Sequence, residues 1–176
     1  MIGASSKERP WELSDEKLIA ACRFEAFVGP GPGGQKRNKT KAAVRYTHLA
    51  SGIHAMASDS RSQRENRIHA LRALRHKLAM EIRHDIGDSL QYHAPAWWSE
   101  YAGKGGIHIN PKNPRYPSAV AEVLDVLAAM RWEIAGAAVM LGISTSALVR
   151  FVRADPHLWE KINRVRAELG MKPLRT

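Results

Sequence analysis

The stretch Gly29-Pro30-Gly31-Pro32-Gly33-Gly34-Gln35-Lys36-Arg37-Asn38-Lys39-Thr40 decides how the rest of the chain reads. Four glycines and two prolines precede one glutamine, and basic residues follow at once. Glycine reaches backbone conformations closed to other residues and lets another backbone come close, while proline restricts its own φ and the residue before it. A loop of this kind is exposed, shaped by its backbone, and almost bare of side chains that could bury it. Gln35 stands at its tip. Composition alone makes such a stretch a turn and no more; the flanking sequence gives it a second reading.

Upstream, Leu13-Ser14-Asp15-Glu16 reads as a helix start, with Ser14 as cap, acids in the first turn and Leu13 stapled onto Leu18. That helix is expected to reach about Cys22 and to bury Leu18, Ile19 and Cys22, after a disordered leader over residues 1–10. Arg23 to Val28 predicts a short strand feeding the loop. Downstream, Asn38 to Ala42 predicts a helical turn and Ala43 to Leu49 a strand with Val44, Tyr46 and His48 on one face. Ala50-Ser51-Gly52 is then a turn, and Ile53 to Ala57 returns antiparallel. Arg61 to Arg83 has helical periodicity, with Ile68, Leu71, Leu74, Leu78 and Ile82 in one stripe. A small antiparallel sheet packed by a long helix is an α+β domain, expected over residues 11–84.

Gly33-Gly34-Gln35, then Asn38-Lys39-Thr40, Ala43-Val44-Arg45-Tyr46-Thr47-His48, Ser51-Gly52-Ile53, and Arg61-Ser62-Gln63 with Asn66 come in order and with fixed spacing. This series resembles the catalytic (GGQ) domain of class I peptide chain release factors and their codon-independent ribosome-rescue relatives, over roughly residues 23 to 83. The resemblance implies that the loop enters the peptidyl transferase centre and promotes attack of water on the ester of P-site peptidyl-tRNA. Gly33 and Gly34 would shape the loop, and the Gln35 backbone N–H would donate to the developing oxyanion, a donor whose loss typically costs about 10² to 10³ in rate. An amide is a poor general base, so the Gln35 side chain positions water and takes no proton. The implied partners are large-subunit rRNA and the P-site peptidyl-tRNA. Lys36, Arg37, Lys39, Lys41, Arg45, Arg61, Arg64 and Arg67 are candidates to hold rRNA phosphates, and Asn38, Thr40 and Gln63 to brace the loop. The resemblance also points to N-methylation of the Gln35 side chain.

The sequence departs from that family in two places. Release factors often carry histidine and then valine after the glutamine, where this chain has Lys36 and Arg37. The chain of 176 residues leaves no room for a stop-codon-reading domain, and it contains no Pro-x-Thr or Ser-Pro-Phe tripeptide of the kind that reads codons. Codon-independent release is therefore the expectation. Rescue relatives end in a basic disordered tail; a helical module is expected here instead.

Charge agrees with an RNA partner. The net charge is +10, and residues 29–83 hold twelve Lys/Arg against three Asp/Glu, an excess of +9 on the motif-bearing segment. No basic amphipathic anchor, no membrane-length apolar run and no secretory leader is evident, and the single Cys22 fits a reducing cytoplasm. A cytoplasmic monomer without cofactor is expected. No helical Glu/His metal pair, Cys-x-x-Cys or phosphate loop ending in Lys-Ser or Lys-Thr is present, so no metal site is assigned. A self-contained hydrolase would need a nucleophile or base constellation; none stands out, which fits an active site completed by RNA.

Residues 85–118, rich in Gly and Pro, read as a linker whose Trp97, Trp98, Tyr101 and Tyr116 either pin it to a neighbouring domain or stack on bases. Residues 119–176 read as a helical, helix-turn-helix-like domain. Val120, Val123, Leu124 and Leu127 form one stripe, and Glu133 to Leu141 is a second helix. Thr145 to Arg153 is a third, capped by Ser144, and Asp155-Pro156 opens a fourth that buries Leu158, Ile162, Val165 and Leu169. The Gly142-Ile143-Ser144 turn, with Arg150 and Arg153 beyond it, offers a second RNA or DNA contact. The competing reading of the whole chain is thus a non-catalytic RNA- or DNA-binding regulator.

Overall fold

The computed structural model describes residues 9–28, 41–103 and 105–175, which divide into two compact units, Met1–Glu81 and Ile82–Thr176. The fold is α+β: a small antiparallel sheet in the first unit, and helices dominating the second.

In the first unit Ser14 caps α1 (Asp15–Ala20), its hydroxyl accepting from the Lys17 N–H at 3.3 Å. The helix is shorter than expected, and Cys22 already belongs to β1 (Cys22–Phe27). Leu18 is buried, but Ile19 is 40% exposed and Cys22 half-buried. A six-residue helix turns one side to the core, so neighbouring positions cannot both be covered. Pro10, placed at the end of the expected leader, is buried with Trp11 in a 3-10 turn, Pro10–Glu12. Arg75 fixes that turn by donating to the Trp11 carbonyl at 2.8 Å and pairing with Asp15 at 2.7 Å.

β1 pairs antiparallel with β2 (Ala43–His48), and β2 with β3 (His54–Ala57), so β2 is central. Alternation turns Val44, Tyr46 and His48 inward with Ala55 and Ala57, against α2 (Gln63–Glu81). The buried side of α2 is not the stripe through Ile68, which is 52% exposed; Ile82 lies beyond the helix end. The core side is Asn66, Ala70, Leu71, Leu74 and Leu78. A fourfold recurrence from residue 66 gives the first seat to an amide, and an apolar-only reading moved that seat to Ile68. Of the helical turn expected over Asn38–Ala42, Lys41 and Ala42 are described and carry no helix; the rest lies outside the described residues.

The second unit is built around α3 (Tyr116–Ala129), whose residues from Tyr116 to Leu127 are all buried, Glu122 and Asp125 included. Each acid has partners: the Tyr92 hydroxyl donates to Glu122 at 2.6 Å, and Asp125 accepts from Arg83 at 2.7 Å and from the His84 N–H at 3.0 Å. α4 (Ile134–Met140), α5 (Thr145–Arg153) and α6 (Pro156–Glu168) follow. Ser144 caps α5, accepting from the Ala147 N–H at 3.1 Å. Asp155 caps α6 through the His157 and Leu158 N–H groups, and its other oxygen accepts from the Tyr116 hydroxyl at 3.0 Å. Burial, reinforced by that carboxylate, pushes the Tyr116 hydroxyl far above its ordinary pKa. α6 buries Leu158 and Ile162, but Leu169 is exposed and Arg166 is buried. The Arg166 guanidinium donates to the carbonyls of Trp132 and Lys172, which satisfies the buried cation.

The Gly/Pro-rich segment after residue 84 is more structured than a linker. It forms two 3-10 turns, Ser89–Gln91 and Ala96–Glu100, and a minimal hairpin of β4 (Ala102–Gly103) and β5 (Gly106–Ile107). Trp98 is buried and its indole N–H donates to the Leu141 carbonyl at 2.9 Å, pinning the segment to the turn between α4 and α5. Among the described residues no single helix is long and apolar enough to cross a membrane.

Candidate functional site

Gly33, Gly34, Gln35, Lys36, Arg37, Asn38, Lys39 and Thr40 lie outside the described residues, but both roots of their loop are inside. Phe27 closes β1 and Ala43 opens β2, and the two are direct partners in the sheet register. The loop therefore leaves and re-enters the sheet side by side.

Two amides at the start of α2 fix the returning root. Gln63 donates to the Lys41 carbonyl at 2.7 Å, and Asn66 donates to the Ala42 carbonyl at 2.8 Å. Asn66 also donates to the Ser60 carbonyl at 2.8 Å and accepts from the Ser60 N–H at 3.0 Å, so one buried side chain ties the loop root to the β3–α2 connection. Two consecutive carbonyls that belong to no strand are thus satisfied by side chains. Gln63 makes one of these bonds and Asn66 the other. Asn66 belongs to the motif series, but its bracing role was missed; the signal was an amide four residues before Ala70 in an otherwise apolar row.

The described cations distribute unevenly. Lys41, Arg61 and Arg64 are exposed. Arg67 donates to Gln63 Oε1 at 2.9 Å and lays its guanidinium 4.6 Å from the Phe24 ring centre, so it is linked through Gln63 to the loop root. Stacking of this kind contributes about 0.5–1 kcal/mol at an exposed site and holds the planar group in one orientation. Arg45 lies on the other face of the sheet, beside Glu25 at 4.0 Å and over Phe27 at 5.5 Å. The structure thus gathers Arg61, Arg64 and Arg67 near the brace and separates Arg45 from them.

Among the described residues the one thiol, Cys22, is not activated. Burial pushes the Cys22 thiol pKa up, away from the reactive thiolate. Among the described residues no group of three or more His, Cys, Asp or Glu could hold a metal ion. The first unit offers a braced loop root and an oriented Arg67, an arrangement suited to positioning and to binding phosphates.

Comparison with known proteins finds similarity over the same segment. Residues 16–93 match the RF-1 domain. Peptide chain release factor 1 of Lachnoclostridium phytofermentans is 45% identical over 77 residues, covering 42% of this chain and 22% of that protein. Peptide chain release factor 1 of Desulforudis audaxviator is 48% identical over 56 residues, covering 32% of this chain and 16% of that protein. That of Acidiphilium cryptum is 44% identical over 64 residues, covering 36% and 18%. The chain therefore spans only about a fifth of the length of the curated relatives it matches. Residues 16–93, where Gln63 and Asn66 hold the root of the segment carrying Gly33-Gly34-Gln35, thus match the RF-1 domain and are similar to the corresponding part of the class I release factors.

Proposed function

We propose that the protein is a codon-independent, ribosome-dependent peptidyl-tRNA hydrolase that acts in the cytoplasm on stalled ribosomes or released large subunits. The observation that carries this reading is the sequence Gly33-Gly34-Gln35 in a loop whose returning root is held by Gln63 and Asn66, inside an RF-1 domain. A domain kept only for docking has no need of that tripeptide.

In this reading the Gln35 backbone N–H donates to the oxyanion that forms as water attacks the ester carbonyl, and the Gln35 amide orients the water. Ribosomal RNA and substrate hydroxyls supply the proton transfers. The ester C–O bond breaks, the peptide leaves as a carboxylic acid, and the terminal ribose of the tRNA recovers its hydroxyl. Lys36, Arg37, Lys39, Lys41, Arg61, Arg64 and Arg67 hold rRNA phosphates around the loop, and Arg45 contacts RNA from the other side of the sheet.

The test is release of labelled peptide from ribosomes stalled on mRNA without a stop codon, and from peptidyl-tRNA on isolated large subunits. Wild type is expected to release it, Gln35→Ala to fall by at least about 10²-fold, and free peptidyl-tRNA to be left intact. No release by wild type from either particle would sink the enzyme reading and leave a nucleic-acid-binding regulator.

A further inference from the structure

We propose that α5 and the β4–β5 hairpin of the second unit form a surface that binds double-stranded RNA through its sugar-phosphate backbone. The binding itself does not require the hydrolase reading; the choice of RNA over DNA rests partly on it.

Three observations converge. The first is geometry. α4 and α5 cross at 103° through the short turn Leu141–Ser144, in which Gly142 has φ +69°, a conformation strained for other residues. That angle lies within the roughly 90–120° of helix-turn-helix pairs. The turn is held from outside, because Trp98 donates to the Leu141 carbonyl.

The second is a flanking hairpin. β5 packs on α5, and a Cβ placed on Gly106 would meet the Ala147 Cβ at 3.5 Å, an ordinary van der Waals contact. The hairpin thus lies alongside the first turns of α5. The described residues of the hairpin, Ala102, Gly103, Gly105, Gly106 and Ile107, include no acid.

The third is charge and chemistry. α5 buries Ala147, Leu148, Phe151 and Val152 and exposes Thr145, Ser146, Arg150 and Arg153; the last three follow i, i+4, i+7 spacing along one face. The helix contains no acid. Between residues 103 and 176 there are eleven Lys/Arg and six Asp/Glu, yet Glu122, Asp125 and Asp155 are buried while Arg166 is the one buried base among the described residues. The surface is therefore more basic than the sequence, as a polyanion requires.

Backbone recognition follows from the residue types. The exposed face has hydroxyls and arginines but no Asn, Gln or Glu, the side chains that complement arginine in reading adenine and cytosine edges. Serine and threonine hydroxyls suit 2′-hydroxyl and phosphate oxygens, which A-form RNA displays across its shallow minor groove.

The experiment measures binding of the full chain to a non-ribosomal RNA duplex of about 20 base pairs across a salt series, beside duplex DNA and single-stranded RNA of the same sequence. Loss of two phosphate contacts in Arg150→Ala/Arg153→Ala should lower the slope of log K against log salt by about two. Arg150→Lys/Arg153→Lys should keep the slope, and circular dichroism should show both variants folded. Because the first unit is also basic, the difference between variants is the readout. An unchanged slope in the alanine variant overturns the proposal, as does tighter binding of duplex DNA or single-stranded RNA. Peptide release is read in a separate assay, so failure of the hydrolase reading and failure of this one are distinguishable.

Discussion

Asn66 fills a core seat and makes three hydrogen bonds, to Ser60 twice and to Ala42 once. Removing its side chain leaves the half-buried Ala42 and Ser60 carbonyls without that donor and the Ser60 N–H without that acceptor. Each unsatisfied group costs about 1–3 kcal/mol, so Asn66→Ala should lower stability by about 2–4 kcal/mol in urea unfolding. Peptide release should fall with it at temperatures where the variant is still folded, since the loop root loses one of its two braces. A cost below about 1 kcal/mol would show that the root is held by Gln63 alone. Sequence patterning reads Leu74 and Leu78 because apolar residues announce burial. It reads Asn66 badly because an amide on a helix is ordinarily a surface residue, and only its partners, the nearby Ser60 and the distant Ala42, make it a core one.

At the scale of elements, capping chemistry carried most of the legible structure. Ser144 and Asp155-Pro156 announce α5 and α6, and both caps are made. The hairpin and the 3-10 turns after residue 84 were not legible, because strands of two residues have no period to detect and Gly/Pro content signals irregularity without saying where it docks. The connection from α3 to α4 was also opaque: Arg131 and Trp132 take φ +51° and +64°, positions where glycine would be the expected residue. The Trp132 carbonyl is secured by Arg166, and its N–H donates to the Leu127 carbonyl at 2.7 Å. Arg131 is exposed. Relief of its left-handed backbone outweighs the added freedom of glycine in the unfolded chain, so Arg131→Gly should stabilise by about 0.5–1 kcal/mol in the same denaturation assay. Loss of stability would mean that the Arg131 side chain contributes more than its backbone costs.

Across the molecule, each unit has its own core, and the second begins with a buried charge. Burial raises the Asp125 carboxyl pKa, against the opposing Arg83 guanidinium and His84 N–H. A carboxyl raised in the folded state holds its proton where the unfolded chain has lost it. Its contribution is therefore fully present below the unfolded pKa and is lost as pH rises through the folded one. Removing Arg83 takes away the strongest opposing influence and leaves a buried carboxylate at neutral pH, so Arg83→Ala should cost about 3–5 kcal/mol there. The gap from wild type should narrow as the pH is lowered toward the carboxyl range and Asp125 takes up its proton. Urea unfolding at pH 7 and near pH 5 checks the sign; a gap independent of pH would rule out the carboxylate as its source. Asp125→Asn, which keeps an acceptor for Arg83 and His84, should cost less than Arg83→Ala.

The bond from Trp98 to Leu141 also has a temporal meaning. The indole is synthesised 43 residues before the carbonyl it needs. At about 5–20 residues per second the nascent chain spends roughly 2–9 s with that ring made and its acceptor not yet translated. The first unit, ending at Glu81, is complete before either appears. Folding during translation is thus ordered by the chain itself: the sheet and the amides that hold Lys41 and Ala42 can form early, while the aromatic clasp of the second unit waits for the turn between α4 and α5 to emerge.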